Sequence, residues 1–122
     1  MDTIANFLNQ LKTTSQAGRS SMTIRFSNLK FSMLKVLKNN GYVVGFMVDK
    51  DKAFIEVTLK SQVFEHVRRV SKPGRRVYAK ATHIPKPLSG YGLVILSTPK
   101  GVVSGKEAKK LGLGGEILCE IW

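Results

Sequence analysis

The chain is poor in the residue types that most often carry chemistry. It has one cysteine, Cys119, so no disulfide can form within it, and a reducing compartment fits. Its two histidines, His66 and His83, stand far apart in sequence and form no ligand-spaced zinc motif with the single thiol. Asp and Glu number 8 against 20 Lys and Arg, and the acids are scattered rather than paired, which leaves neither a general acid–base couple nor a carboxylate cluster for a metal. There is no GxxxxGK[ST] phosphate loop, and Gly112-Leu113-Gly114-Gly115 is a helix stop and turn with no strand-to-helix unit after it. No apolar run approaches the roughly 20 residues of a membrane-spanning helix, and the opening residues lack the apolar core of a secretory signal. These absences point away from an enzyme and a membrane protein, and no cofactor or metal is expected.

What the chain does have is positive charge. Its 122 residues carry a net +12 with 43% hydrophobic content: a folded basic protein rather than a disordered basic tail. That length holds one domain, or two very small ones. A charge this large implies a polyanionic partner, most simply nucleic acid. It is also unevenly placed. From His66 to Lys106 there is no acid at all, while Arg68, Arg69, Lys72, Arg75, Arg76, Lys80, Lys86, Lys100 and Lys106 fall within that span. Arg75 and Arg76, just after a turn signal, suit phosphate contacts.

Hydrophobic periodicity organises the chain. Ile4, Phe7, Leu8 and Leu11 share one face of a helix over 3–17, capped by Asp2 or Thr3 and ended by Gly18. A short strand over 22–26 follows, and then Ser27 caps a second helix with Leu29, Met33, Val36 and Leu37 on one face. Strands over 42–48 and 53–59 flank Asp49-Lys50-Asp51-Lys52, a hairpin turn. The stretch 63–70 reads equally as helix or strand. Lys72-Pro73-Gly74 suits a type II turn, and a strand over 75–81 comes after it. Ile84-Pro85-Lys86-Pro87 is a loop. Leu93–Thr98 is a core strand, and Ser104-Gly105-Lys106-Glu107 matches a capping box for a helix ending at Leu111. The last strand, 116–122, places Ile117, Cys119 and Ile121 on one face, with Cys119 as a core residue. The fold class is therefore α+β. A helix-strand-helix-strand-strand layer (1–62) is expected to pack on a mostly β domain with one short helix (63–122).

The most informative stretch is Ser97-Thr98-Pro99-Lys100-Gly101-Val102-Val103. It follows an apolar strand and precedes a helix signal, so it reads as strand, tight turn, extended pair, helix. Pro99 presets φ in the turn, and Gly101 leaves room for a close partner. Ser97 and Thr98 bring hydroxyls that donate and accept, and Lys100 brings a point charge to the tip. Such a narrow tip fits the wide, shallow minor groove of an RNA helix or an irregular internal loop; a regular RNA major groove is too deep and narrow for it.

Several motifs agree with one family. The segments Gly92–Val103, Ala108-Lys109 and Gly114–Cys119 resemble the bacterial-type small-subunit ribosomal protein number eight family. Asp2–Leu8, Ser27-Asn28-Leu29-Lys30 and Arg69–Gly74 resemble it too, so the likeness runs end to end. It implies a structural protein that binds small-subunit rRNA at an irregular helix of the central domain and supports assembly beside neighbouring small-subunit proteins. In some members it also implies binding to the protein's own mRNA. Carried over, the recognition turn is Ser97, Thr98, Lys100 and Gly101, with Pro99 where the family usually has a small polar residue. Glu116 lies in the family's Gly-Gly-Glu segment beside that turn and is a candidate to orient it. Tyr91 is either a stacking residue or a half-buried core tyrosine. Ser27 and Lys30 match a helix start that faces RNA in the family. The implied setting is the cytoplasmic ribosome of a bacterium, or an organellar ribosome.

Charge alone also fits a sequence-tolerant DNA-binding or nucleoid-type protein. Against it, the second helix offers only Lys30, Lys35 and Lys38, and its apolar face is needed for the core.

Overall fold

The computed structural model describes residues 3–51, 53–60, 64–85 and 92–122. Backbone contacts divide these into two units, Thr3–Glu65 and His66–Trp122.

In the first unit, α1 (Thr3–Gln16) buries Ile4, Phe7, Leu8 and Leu11, the residues that recur at helical spacing. It is followed by β1 (Ser21–Arg25), α2 (Asn28–Asn39), β2 (Val43–Val48) and β3 (Phe54–Leu59). Ser27 caps α2, its Oγ accepting the Lys30 N–H at 3.5 Å. The three strands form an antiparallel sheet in the order β1-β3-β2. Strict alternation along β3 buries Ile55, Val57 and Leu59 and exposes Phe54, Glu56 and Thr58. The β2–β3 turn is held by Asp49, whose Oδ1 accepts the Ala53 N–H at 2.7 Å and the Phe54 N–H at 3.3 Å.

The second unit is mostly β. Its strands are β4 (Val67–Arg69), β5 (Tyr78–Ala79), β6 (Leu93–Thr98), β7 (Gly101–Ser104) and β8 (Gly115–Ile121), with a 3-10 turn over Ala81–His83 and a helix α3 (Gly105–Leu111). The antiparallel order is β4-β8-β6-β7, and β5 also pairs with β8. The expected capping box is present: Ser104 Oγ accepts the Glu107 N–H at 3.2 Å. The α+β class, the first layer's element order and the strand-turn-strand-helix run of the second unit match the reading of the sequence.

Three local expectations are corrected. The strand expected over 75–81 shrinks to Tyr78–Ala79. The buried Ser71 hydroxyl stands in for a strand partner, accepting the Val77 N–H at 2.8 Å and donating to the Val77 carbonyl at 3.2 Å. The turn at Pro73-Gly74 is not type II, because Gly74 does not take the positive φ that type requires. It is closed instead by reciprocal Lys72 and Arg75 backbone bonds of 2.9 Å. Lastly, Ile117 does not share a face with Cys119 and Ile121. Leu96 pairs with Ile117 while Ile95 pairs with Cys119, so β8 bulges at Leu118. Ile117 thereby joins Val94 and Leu96 in a core backed by Val70, Val77, Ala79 and Ile84. Asp2, Lys52, Lys86, Pro87 and Tyr91 lie outside the described residues.

Candidate nucleic-acid interface

The β6–β7 hairpin builds the turn that the sequence singled out. Thr98 pairs with Gly101 across it, leaving Pro99 and Lys100 exposed at the tip. Gly101 has φ +116°, a conformation that L side chains rarely adopt, with open space where a Cβ would be, so backbone shape is what requires glycine there. Thr98 is committed to the turn. Its hydroxyl donates to the Gly101 carbonyl at 2.7 Å and accepts the Lys100 N–H at 3.2 Å. The single proton is spent, so Thr98 can offer a partner only its remaining lone pair.

Ser97 differs. It is half-buried, and its hydroxyl has no hydrogen-bond partner among the described residues. Register places it opposite Glu116 on β8 and opposite Val102 on β7. Glu116 is in turn opposite Tyr78 on β5. Directly paired residues share a face of a sheet. Tyr78, Glu116, Ser97 and Val102 therefore form one row across four strands.

The row has its own electrostatics. Glu116 Oε2 accepts from the Arg76 guanidinium at 3.0 Å, with side-chain exposures of 17% for Glu116 and 48% for Arg76. Arg76 is thus partly neutralised, and Glu116 is tied to Arg76 while lying beside the turn. Arg75 is exposed, next to Lys72, on the hairpin that Ser71 staples. Tyr78 is 69% exposed; Tyr91, the tyrosine expected from the sequence, lies outside the described residues. The missed signal is the alternation Val77-Tyr78-Ala79, which puts the tyrosine on the face opposite the core.

The structure thus gathers Ser97, Thr98, Pro99, Lys100, Gly101, Glu116 and Arg76 at one end of one sheet. Arg75 is the next residue along the chain from Arg76. Ser27 and Lys30 belong to the other unit, at the start of α2. Among the described residues no group of His, Cys, Asp or Glu could hold a metal ion, and no helix is long and apolar enough to cross a membrane. Cys119 is buried, and burial pushes its thiol up to about 12, partly opposed by Arg69. The Arg69 guanidinium donates to the Leu118 carbonyl at 3.0 Å.

Comparison with known proteins gives a consistent picture. The family described as Ribosomal protein S8 matches residues 2–122. The small ribosomal subunit protein uS8 of Syntrophus aciditrophicus is 40% identical over 129 residues, covering 99% of this chain and 97% of that protein. The same protein of Thermus aquaticus is 38% identical over 135 residues, covering 99% and 98%. That of Mycoplasmopsis pulmonis is 40% identical over 128 residues, covering 99% and 96%.

Proposed function

The chain belongs to the ribosomal protein S8 family, a structural and non-enzymatic family of the small ribosomal subunit, and from that premise we propose that it binds small-subunit rRNA through the open end of its second-unit sheet. The RNA feature is an irregular helix of the central domain, and the binding supports assembly of the subunit. The cytoplasmic ribosome of a bacterium is the setting that its relatives favour.

The observation that carries this reading is the row Tyr78–Glu116–Ser97–Val102 beside the Pro99-Lys100 tip. Each member has a task that RNA poses. The Ser97 hydroxyl, without a partner among the described residues, can both donate to and accept from a base edge or a ribose 2′-hydroxyl. Tyr78 offers an exposed ring on which an unstacked base can lie, an interaction worth about 1–3 kcal/mol. Lys100, Lys72 and Arg75 supply charge to phosphates, which sets register rather than sequence. Thr98 acts mainly as the brace of the turn, and Pro99 and Gly101 fix its backbone. Glu116 holds Arg76 so that both are oriented before RNA arrives. Ser27 and Lys30 form a second contact: the Ser27 oxygen caps α2, and its proton, without an acceptor among the described residues, can go to a phosphate or ribose. Tyr91 joins the set on sequence grounds alone. Selection comes from irregular RNA shape, so an mRNA with the same shape is also a ligand, and a reporter on that mRNA that ignores excess protein would remove this extension.

Binding to a central-domain transcript, competed with duplex DNA of equal length, tests the proposal. If roughly four to six phosphates are engaged, log K falls with log salt at a slope of about −3 to −5. The transcript should win by at least tenfold; equal affinity returns the protein to the DNA-binding alternative.

A further inference from the structure

We propose that Gly114 and Gly115 are positioning residues for RNA recognition, fixing the gap between the tyrosine on β5 and the hydroxyl-bearing end of β6. The proposal rests on the RNA-binding reading above. β8 runs between these two strands, and Glu116 is the register partner of both Tyr78 and Ser97. With neighbouring strands about 4.8 Å apart, Tyr78 and Ser97 are held roughly 10 Å from each other.

The glycines just before Glu116 touch opposite neighbours. A Cβ at Gly114 would lie 2.9 Å from Lys80 Cα and 3.3 Å from the Ala79 carbonyl carbon, and would collide with the Ala79 oxygen. A Cβ at Gly115 would lie 3.0 Å from the Ser97 carbonyl carbon and 3.2 Å from Thr98 Cα, and would collide with the Ser97 oxygen. All six atoms are backbone, so no rotamer change relieves either contact. Neither glycine has a positive φ, so the requirement is space and not dihedral freedom. A methyl at Gly114 drives out the β5 side; a methyl at Gly115 drives out the hairpin side. β5 is only two residues long. Recognition groups need placement within about 0.5 Å, which is less than the shift either methyl demands.

The test uses the full chain, a central-domain transcript and duplex DNA of equal length. Gly114→Ala and Gly115→Ala should each weaken transcript binding at least tenfold. The salt slope should stay close to that of the wild type, because neither substitution removes a charge. Double-mutant cycles separate positioning from general damage. The Gly114→Ala loss should vanish in a Tyr78→Ala background, and the Gly115→Ala loss in a Ser97→Ala background, while the crossed pairs add. Folded glycine variants that bind the transcript like wild type, or losses that add in every pairing, overturn the inference and leave the RNA-binding reading standing. A wild type that does not prefer the transcript overturns both. Should the variants fail to fold, hydrogen exchange on the free wild type decides. The Ile117 amide, bonded to the Val77 carbonyl at 2.8 Å, and the β6–β7 amides should be protected before RNA is added. Protection that appears only with RNA overturns the inference.

Discussion

Ser97 and Glu116 face each other across the β6–β8 ladder, and among the described residues only the Glu116 side chain is engaged. The carboxylate holds Arg76 at 3.0 Å; the hydroxyl holds nothing among the described residues. An unengaged hydroxyl beside a fixed carboxylate–guanidinium pair is a place where a partner can bond without first breaking an internal contact. The neighbouring hydroxyl, that of Thr98, has no such freedom.

The two hydroxyls should therefore respond differently to substitution. Ser97→Ala should lower transcript affinity by about 1–2 kcal/mol and leave the melting temperature unchanged. Thr98→Ala removes two internal bonds, so it should lower stability by about 1 kcal/mol as well as affinity, and Thr98→Ser should restore both. Filter binding and thermal melts on the same three variants check this.

The Arg76–Glu116 pair is largely exposed on the arginine side, so its contribution to stability is small, about 0–1 kcal/mol. Glu116→Gln should barely change the melting temperature. Arg76→Ala should weaken binding to all RNAs alike and flatten the salt slope by about one unit if the guanidinium also meets a phosphate. A salt titration of each variant reads the difference.

Much of this architecture is legible in the sequence, for identifiable reasons. Leu93–Thr98 reads as a strand because an apolar run ends at turn chemistry, and α3 reads as a helix because Ser104 and Glu107 stand at capping-box spacing. Both signals are local. The β8 bulge is not, since a strict alternation of Ile117, Cys119 and Ile121 cannot reveal that β6 skips Leu118. The alternation Val77-Tyr78-Ala79 marks Tyr78 as outward-facing, but its place in the row depends on pairing with Glu116, which is distant in sequence. The commitment of Thr98 to its own turn also escaped the sequence, because a hydroxyl's partner is set by turn geometry rather than residue type.

Ser71 should prove costly to remove. It is fully buried, and its hydroxyl bonds both the N–H and the carbonyl of Val77. Ser71→Ala leaves that N–H without its partner, so stability should fall by about 1–3 kcal/mol. Binding to phosphates should also weaken, because the Lys72–Arg75 tip loses its staple. Chemical denaturation and the salt slope report the two effects separately.

Cys119 should behave as a core residue. With its thiol pushed up to about 12 by burial, it should resist thiol reagents in the native protein and react once denaturant is added. The folded value lies above the unfolded one, so the folded state keeps its proton while the unfolded chain loses it. Stability is then fully present below the ordinary thiol range and declines as pH rises toward 12. Cys119→Ala should remove that part of the alkaline decline, as urea melts across the range would show.

The most direct measurement uses the same inertness. A cleavage reagent tethered to Lys100→Cys reports only from the hairpin tip, because Cys119 is buried and unlabelled. Bound to small-subunit rRNA, it should cut strands on both sides of one irregular helix in the central domain. A bound protein whose tethered reagent cuts nowhere, or cuts evenly along the RNA, would contradict the assignment of this end of the sheet to RNA recognition.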